Sequence, residues 1–427
     1  MGRLAGKMQR NLSGTRIIVG ALVIGYISLW ALSPLVTSSA TSDLDLYFWP
    51  SAQIAAHGHP LSVYSAHSLG SYPNANGPLG LLPLMPLAAF ANAFGWANDM
   101  RVHAGLTGVV AGVFALLLAM EATRIIRSAR GHIEWPLAAA SVVLLAPVLW
   151  ISVADYGHLE QVIELYFVLL AVRYTLTQQP IRAGVMLGLS VLARTTALVT
   201  AIPFALLALG THQVKRAATQ LSVAAAIGFA GIVPFLVADR ANVVHSLVTY
   251  RSDLPVGGGS FWVASIGTPM AAVAQDADSW LILALAAMLC ALALWRRPAM
   301  ATTAAGLCGL LCVTATCFPM LAKTVYPYYL FEPYVMAAVW WLARSDRVLS
   351  WRVSVPLLLT FDAFLAKWNA SLPLSGAGLA EGVASSIVLA MVIALVMIDL
   401  VWCREPSLSP ATSAHRGVAL AAWSVNI

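Results

Sequence analysis

Apolar runs of about 20 residues, the length that crosses a bilayer as a helix, follow one another along most of this chain. The 427 residues are 60% hydrophobic and only 10% charged, whereas a soluble protein carries about 25% charged residues. Backbone polar groups in a bilayer must be paired within the protein, and a helix pairs them within each segment. No stretch outside the runs is long enough to bury its own core. The sequence therefore predicts an all-α, polytopic transmembrane helical bundle in one domain, residues 1–427.

The basic residues lie mostly in short loops, and their positions predict the orientation of the bundle. Four of them, within residues 1–16, precede the first apolar run. Cytoplasmic loops carry an excess of lysine and arginine, so we expect both termini to be cytoplasmic, in a multi-pass protein of the plasma membrane. We expect about 12 spans, at residues 17–36, 102–120, 135–154, 161–177, two short helices within 183–209, 217–238, 280–295, 300–321, 330–343, 353–368 and 383–401.

Two long external loops follow from this topology, residues 37–100 and 239–278. Within the first, segment 78–98 is apolar but contains three prolines. If this segment crossed the membrane, the arginine-rich loop 122–132 would lie outside, against the charge rule. We therefore predict that it forms a juxtamembrane helix or hairpin in the outer leaflet.

The first external loop carries the most unusual set of polar residues. No lysine or arginine occurs from Ile17 to Met100, yet Asp43 and Asp45 stand directly before an aromatic run. Two aspartates on a loop can simply be solvated. Burial at the membrane interface would instead raise the basicity of a carboxylate and favour a catalytic base. In an extended segment both side chains would point the same way, whereas at the start of a helix they would favour its positive N-terminus.

Other polar residues cluster at the predicted external ends of the spans. Arg194 lies inside an apolar run, where a cation is costly and usually partnered, so a salt bridge and a contact with a lipid phosphate are both open. Glu332 is a candidate partner for Lys323, and Asp362 for Lys367. The corner between two spans carries four ionisable residues: Asp155, His158, Glu160 and Glu164.

Several function classes have no support in the sequence. The net charge of +6 is explained by the basic loops and predicts no nucleic-acid partner. The five cysteines lie in or beside apolar runs and are expected to be packing residues. No HExxH pattern and no GxGxxG in a strand–helix context occurs, so we assign no cofactor and no metal site, although a divalent metal is not excluded.

The order of several short motifs resembles a known family. Asp43-Leu-Asp-Leu-Tyr47, followed by Gly58-His-Pro60-Leu-Ser-Val-Tyr64, resembles the opening of GT-C membrane glycosyltransferases, in particular the polyprenol-phosphate-mannose-dependent mannosyltransferases. Three later stretches also resemble that branch: Tyr72 to Leu79, Gly157-His158-Leu159-Glu160 with Ala183-Gly184…Gly188…Arg194, and Tyr326 to Pro333. Two details depart from it. Asn74 to Gly77 interrupts the usual double proline, and His158 stands where glutamine is commoner.

The resemblance implies a GT-C fold and inverting transfer of a sugar, mannose or similar, from a polyprenyl-phosphate donor to a lipid or glycan acceptor. It implies Asp43 as the base, with Asp45 as the second candidate, and Arg194 as a donor-phosphate contact. Lys323 and Arg251 are further candidates for the phosphate. The residues that we expect to bind substrate are Tyr47, His57, His59, Tyr64, Asn74, Asn76, His158, Glu160 and Tyr326. Besides the substrates, membrane lipids are the expected partners.

Three other functions remain open at this point. A transporter or flippase for a lipid-linked sugar would place charges near the bilayer midplane and show internal repeats, and no sequence repeat is evident. An accessory membrane subunit without chemistry should tolerate the loss of Asp43. A lipid-sugar ligase or polymerase would share the membrane face and the lipid, and would differ in the length of the donor.

Overall fold

The structure, a computed structural model, describes residues 19–35, 43–130, 136–211, 213–344, 350–369 and 377–403. In order, its α-helices are α1 (Val19–Ala31), α2 (Trp49–Ala56), α3 (Pro78–Leu81), α4 (Leu84–Ala93), α5 (Met100–Arg130), α6 (Pro136–Leu144), α7 (Pro147–Trp150), α8 (Leu159–Leu176), α9 (Pro180–Ala193), α10 (Ala197–Thr211), α11 (Val214–Ala238), α12 (Arg240–Val244), α13 (Tyr250–Asp253), α14 (Met270–Arg296), α15 (Ala304–Leu321), α16 (Phe331–Arg344), α17 (Ser354–Asn369) and α18 (Ala377–Trp402).

Short 3-10 and π-helical turns join these elements. The 3-10 turns are Ser33–Leu35, Pro60–Leu69, Phe261–Ser265, Pro298–Thr302, Pro327–Leu330 and Trp351–Val353, and the π-helical turns are Leu44–Phe48, Ile151–Asp155 and His245–Thr249. Two strands of two residues each, β1 (Gly257–Gly258) and β2 (Thr324–Val325), pair in parallel. The prediction of an all-α helical bundle is confirmed at this level.

The helices lie where the apolar runs predict them, since a helix coincides with each of the twelve predicted spans. Within the described residues, six helical segments are long and apolar enough to cross a membrane: Met100–Arg130, Pro136–Asp155, Val214–Ala238, Met270–Arg296, Ala304–Leu321 and Leu379–Trp402. Shorter apolar helices include Val19–Ala31, Pro180–Ala193 and Ala197–Leu207. The apolar helices therefore indicate a membrane-embedded protein, while the span count of about 12 stays a prediction.

Close helix packing explains the glycines of the middle region. A Cβ on Gly184 would lie 2.4 Å from the backbone oxygen of Gln220, and one on Gly188 would lie 2.7 Å from the Cβ of Ile227. Small residues four apart let two membrane helices approach closely, so this pair places α9 directly against α11.

The cysteines are also packing residues, because all five are free and four are buried.

Segment 78–98 begins and ends at the same end of the bundle. At its start, a Cβ on Gly80 would meet the Cβ of Glu160 at 2.7 Å. At its end, Gln53 donates a 2.7 Å hydrogen bond to the backbone oxygen of Ala97. Between these points lies the apolar helical segment Pro78–Ala93, which would be about 24 Å long as one continuous helix. The hairpin in the outer leaflet stays a prediction.

Buried ion pairs lie near the ends of the long helices. We call the end where α8 and α16 begin the upper end, and the end where they finish the lower end. At the lower end the side chain of Glu121 pairs with Arg124 and Arg173. On the same side Asp399 pairs with Arg344 and Arg352. The other charged cluster, at the upper end, contains the candidate site.

Candidate functional site

A tight corner between Pro136–Asp155 and α8 positions the central side chains of the site. Gly157 has a φ of +78°, in the left-handed region that suits glycine. A Cβ at this position would lie 2.4 Å from the Cβ of Leu44. The corner therefore packs directly on the π-helical turn Leu44–Phe48, and Asp43, which precedes that turn, comes next to His158.

His158 lies between two carboxylates. Its Nε2 is 3.0 Å from Asp43 Oδ2, and its Nδ1 is 2.5 Å from Glu160 Oε1. Burial alone would lower the pKa of His158, but the two carboxylates outweigh that effect and raise it above its ordinary value. The imidazole can then donate through both nitrogens. Asp43 is the accessible member, with 23% of its side chain exposed against 4% for Glu160.

Tyrosines from several separate segments lie near the Asp43 carboxylate. Burial raises the pKa of six of them and the negative charge of Asp43 adds to the rise: Tyr47, Tyr156, Tyr250, Tyr326, Tyr328 and Tyr329. The Tyr328 ring lies 3.7 Å from the imidazole of His158. Burial raises the pKa of Tyr156 to about 12 and raises the pKa of Tyr47 and Tyr326. These phenols are therefore neutral hydroxyl groups that can both donate and accept hydrogen bonds.

Asp45 points away from Asp43. Its Oδ1 lies 2.8 Å from Nδ1 of His103, whose Nε2 is 3.2 Å from the backbone oxygen of Trp96. The imidazole of His103 also stacks on Trp49, at 3.9 Å. Of the two conformations that the sequence leaves open, the helix start is the one present, and the two carboxylates bind different histidines.

Arg194 is buried in a salt bridge. Only 5% of its side chain is exposed, its guanidinium pairs with Glu332, and its Nη1 lies 3.8 Å from Glu164 Oε2. The salt bridge, one of the two interpretations of this cation, is therefore present. It corrects the predicted pairing of Lys323 with Glu332, because α9 and α16 meet at their upper ends and bring Arg194 to that carboxylate.

Lys323 and Arg251 lie on either side of one aspartate. Lys323 is buried, and its Nζ donates to the backbone oxygens of Ser252 and Gln275 at 2.9 and 3.2 Å. Asp278 Oδ2 accepts from the backbone N–H of Lys323 and from Nη2 of Arg251. Arg251 is more accessible, with 31% of its side chain exposed. A donor phosphate could thus reach Arg251 far more easily than Lys323.

Several other predicted substrate residues shape the loop before α3. Tyr64 is fully buried and donates to the backbone oxygen of Asn76 at 3.1 Å. The side chain of Asn74 is also buried, and it both donates to and accepts from the backbone of Asn76. His57 and His59 are exposed at the turn after α2. Tyr47 and Tyr326 lie in the tyrosine set around Asp43.

Sequence reasoning missed two features of the site. Tyr72 stacks on Tyr47 with 5.0 Å between ring centroids, and only its place in a motif could have drawn attention to it. Lys367 forms an ion pair with Asp155 across the upper end. The expected pair of Asp362 and Lys367 is therefore wrong, and Asp362 accepts instead from Ser385 at 3.0 Å.

In the described ranges no group of three or more His, Cys, Asp or Glu side chains has the arrangement of a metal site. The chain matches no protein-family model, and no curated protein is significantly similar to it. The chemistry of the site must therefore be argued from its own residues.

Proposed function

We propose that the chain is an inverting membrane glycosyltransferase of the GT-C type. It would transfer a sugar, mannose or similar, from a polyprenyl-phosphate donor to a lipid or glycan acceptor at the external face. The observation that carries this proposal is the Asp43 carboxylate, which is partly exposed near several tyrosines. It contacts His158, whose other ring nitrogen contacts Glu160. A carboxylate in such a setting suits a general base.

The reaction needs one base and a way to stabilise the leaving phosphate. Asp43 takes the proton of the acceptor hydroxyl while that oxygen attacks the anomeric carbon of the donor sugar. The bond from this carbon to the phosphate oxygen breaks on the opposite face, and the polyprenyl phosphate leaves with the electron pair. His158 fixes the orientation of the carboxylate through Oδ2, and Glu160 fixes the imidazole through Nδ1.

The leaving phosphate is charged and needs a cation or hydrogen-bond donors. We assign this contact to Arg251, whose guanidinium is partly exposed and lies over the ring of Phe318 at 4.6 Å. Tyr250, next to it in the chain, reaches the Asp43 set through its hydroxyl, 3.1 Å from that of Tyr47. Arg194 and Lys323 support the site from buried positions.

The decisive experiment is transfer of labelled sugar from a polyprenyl-phosphate donor by the purified protein, wild type beside Asp43→Asn. The amide keeps the shape and removes the base, so we expect transfer to fall by roughly 10²- to 10⁴-fold with donor binding retained. Asp45→Asn is the matched control, because it removes a carboxylate two residues away that binds His103 instead.

Each other result has a defined meaning. Full activity of Asp43→Asn with loss in Asp45→Asn would move the base to Asp45. Full activity in both variants would end the assignment of a carboxylate base in this loop. Tight donor binding by wild type without any turnover would favour a transporter or flippase of a lipid-linked sugar.

A further inference from the structure

The ring of Tyr72 is packed on another ring, although about half of the residue is exposed. Tyr72 is 51% exposed. Its ring stacks on Tyr47 with an interplanar angle of 25°, and its backbone N–H donates to the oxygen of Leu46 at 3.3 Å. An aromatic face that is both exposed and packed on another ring is a surface ready for contact, since little conformational entropy is lost when a ligand covers it.

The neighbours of this ring supply polar groups at its edge. The hydroxyl of Tyr47, the partner in the stack, lies 3.1 Å from that of Tyr250. Tyr47 also interacts with the Asp43 carboxylate. A flat apolar face beside hydroxyls and a carboxylate matches a pyranose, which has one face of C–H groups and a rim of hydroxyl groups. Sites for small polar ligands combine aromatic walls with a few placed polar groups in this way.

The cations of the site lie on other rings. The guanidinium of Arg251 is over Phe318 and that of Arg194 is over Tyr329, at 4.6 and 5.7 Å from the ring centroids. Neither of these guanidinium groups is over Tyr72, and Tyr250, the neighbour of Arg251 in the chain, contacts Tyr47 of the stack. The free face of Tyr72 is therefore open to a neutral sugar ring close to the residues proposed for transfer.

We propose that Tyr72, stacked on Tyr47, forms a subsite for a pyranose ring of one of the two substrates. That this sugar belongs to a substrate of sugar transfer rests on the proposed function. The sugar-binding surface itself does not, because it is defined by the rings and hydroxyls alone.

The test measures binding of methyl α-mannopyranoside and methyl α-glucopyranoside to the purified full chain by saturation-transfer NMR, with cyclohexanol as the apolar probe. A detergent without a sugar headgroup is required, since a glycosidic detergent would compete. We expect wild type to bind at least one pyranoside in preference to cyclohexanol. Affinity should fall at least about fivefold in Tyr72→Ala and change by less than about twofold in Tyr72→Phe, which keeps the ring.

Trp295→Ala is the control for loss of an exposed aromatic ring, because Trp295 is 74% exposed and lies at the C-terminal end of α14. Its binding should match wild type. Equal binding by Tyr72→Ala and wild type, equal loss in Tyr72→Phe and Tyr72→Ala, or no pyranoside binding by wild type would each overturn the subsite. Binding that depends on Tyr72 in a protein that transfers no sugar would keep the subsite and reject the enzyme.

Discussion

The charge of His158 is the property of this site that pH can test most directly. The two carboxylates raise the pKa of His158 in the folded protein. A raised folded-state pKa stabilises the protein fully below the unfolded value of about 6.5, and this contribution disappears as pH rises through the folded value. The interaction of His158 with Asp43 and Glu160 is thus expected to matter for stability near neutral pH and to fade in alkali.

His158→Gln tests this expectation, because glutamine keeps a hydrogen-bond donor and removes the charge. The thermal stability of wild type should exceed that of the variant most at pH 6, and the difference should shrink toward pH 10. The measurement is thermal unfolding of both proteins in detergent across that range. A difference that stays constant with pH would mean that the imidazole contributes by shape alone.

Arg194 poses a separate question at the scale of single residues, since a buried guanidinium can hold the fold or bind a ligand. Arg194→Met leaves Glu332 and Glu164 without their cation, and removal of one partner from a buried ion pair costs about 3–5 kcal/mol. We expect a large loss of folded protein, measured as the monodisperse fraction in size-exclusion chromatography.

The double variant Arg194→Met with Glu332→Met is the control for Arg194, because it removes both charges and should recover much of the folded yield. If instead Arg194→Met folds normally and loses only donor binding, the arginine is a ligand-binding residue after all.

At the scale of elements, Gly157 joins the corner before α8 to the turn that carries Asp43. Gly157→Ala adds a Cβ where Leu44 already lies at 2.4 Å, in a backbone conformation with φ +78°. Gly70→Ala is a matched control: Gly70 has φ +92°, and a Cβ added there would meet no atom within 4 Å. Both variants carry the left-handed penalty of about 1 kcal/mol.

Only Gly157→Ala must also push the corner away from Asp43. We expect it to lower the melting temperature more than Gly70→Ala and to reduce sugar transfer, whereas Gly70→Ala should transfer at the wild-type rate. The paired measurements are thermal unfolding and transfer by each variant. Equal effects of the two substitutions would show that the contact with Leu44 does not set the geometry of the site.

The elements themselves could be predicted from the sequence, but most of their partners could not. Hydropathy located the helices, because each apolar run is a local property of the chain. The partner of Arg194 depends on α9 and α16 meeting at their upper ends, 138 positions apart in sequence (332 minus 194). The same holds for Lys367, whose partner Asp155 is 212 residues away. Sequence separation alone favours the nearer partners, Asp362 for Lys367 and Glu332 for Lys323, and both of these predicted pairings are wrong.

For the whole molecule, the distribution of charge bears on the choice between enzyme and transporter. Glu164, Arg194 and Glu332 are buried, yet each lies within the first or last turns of its helix, close to Asp43 and His158. A transporter is expected to bind its substrate near the bilayer midplane. Buried charges thus lie at both ends of the bundle, and the cluster at the upper end suits chemistry at a membrane surface.

The contact between Asp43 and His158 also constrains how the chain crosses the membrane. Two segments long enough to span, Met100–Arg130 and Pro136–Asp155, separate residue 98 from His158. If both cross, residue 98 is on the side of His158, and Asp43 is on that side too because the two side chains are in contact. Segment 78–98 must then begin and end on one side.

Cysteine labelling in intact cells tests this argument. In a background with Cys403→Ser, we expect Leu69→Cys and Asn98→Cys, both at exposed positions, to react with a maleimide that does not cross membranes. Ser128→Cys, near the end of α5, should react only after permeabilisation. Labelling of Leu69→Cys and Asn98→Cys from opposite sides would mean that segment 78–98 crosses. Since Asp43 contacts His158, one of the two segments Met100–Arg130 and Pro136–Asp155 would then not cross the membrane. Which of them stays on one side would determine whether loop 122–132 is cytoplasmic.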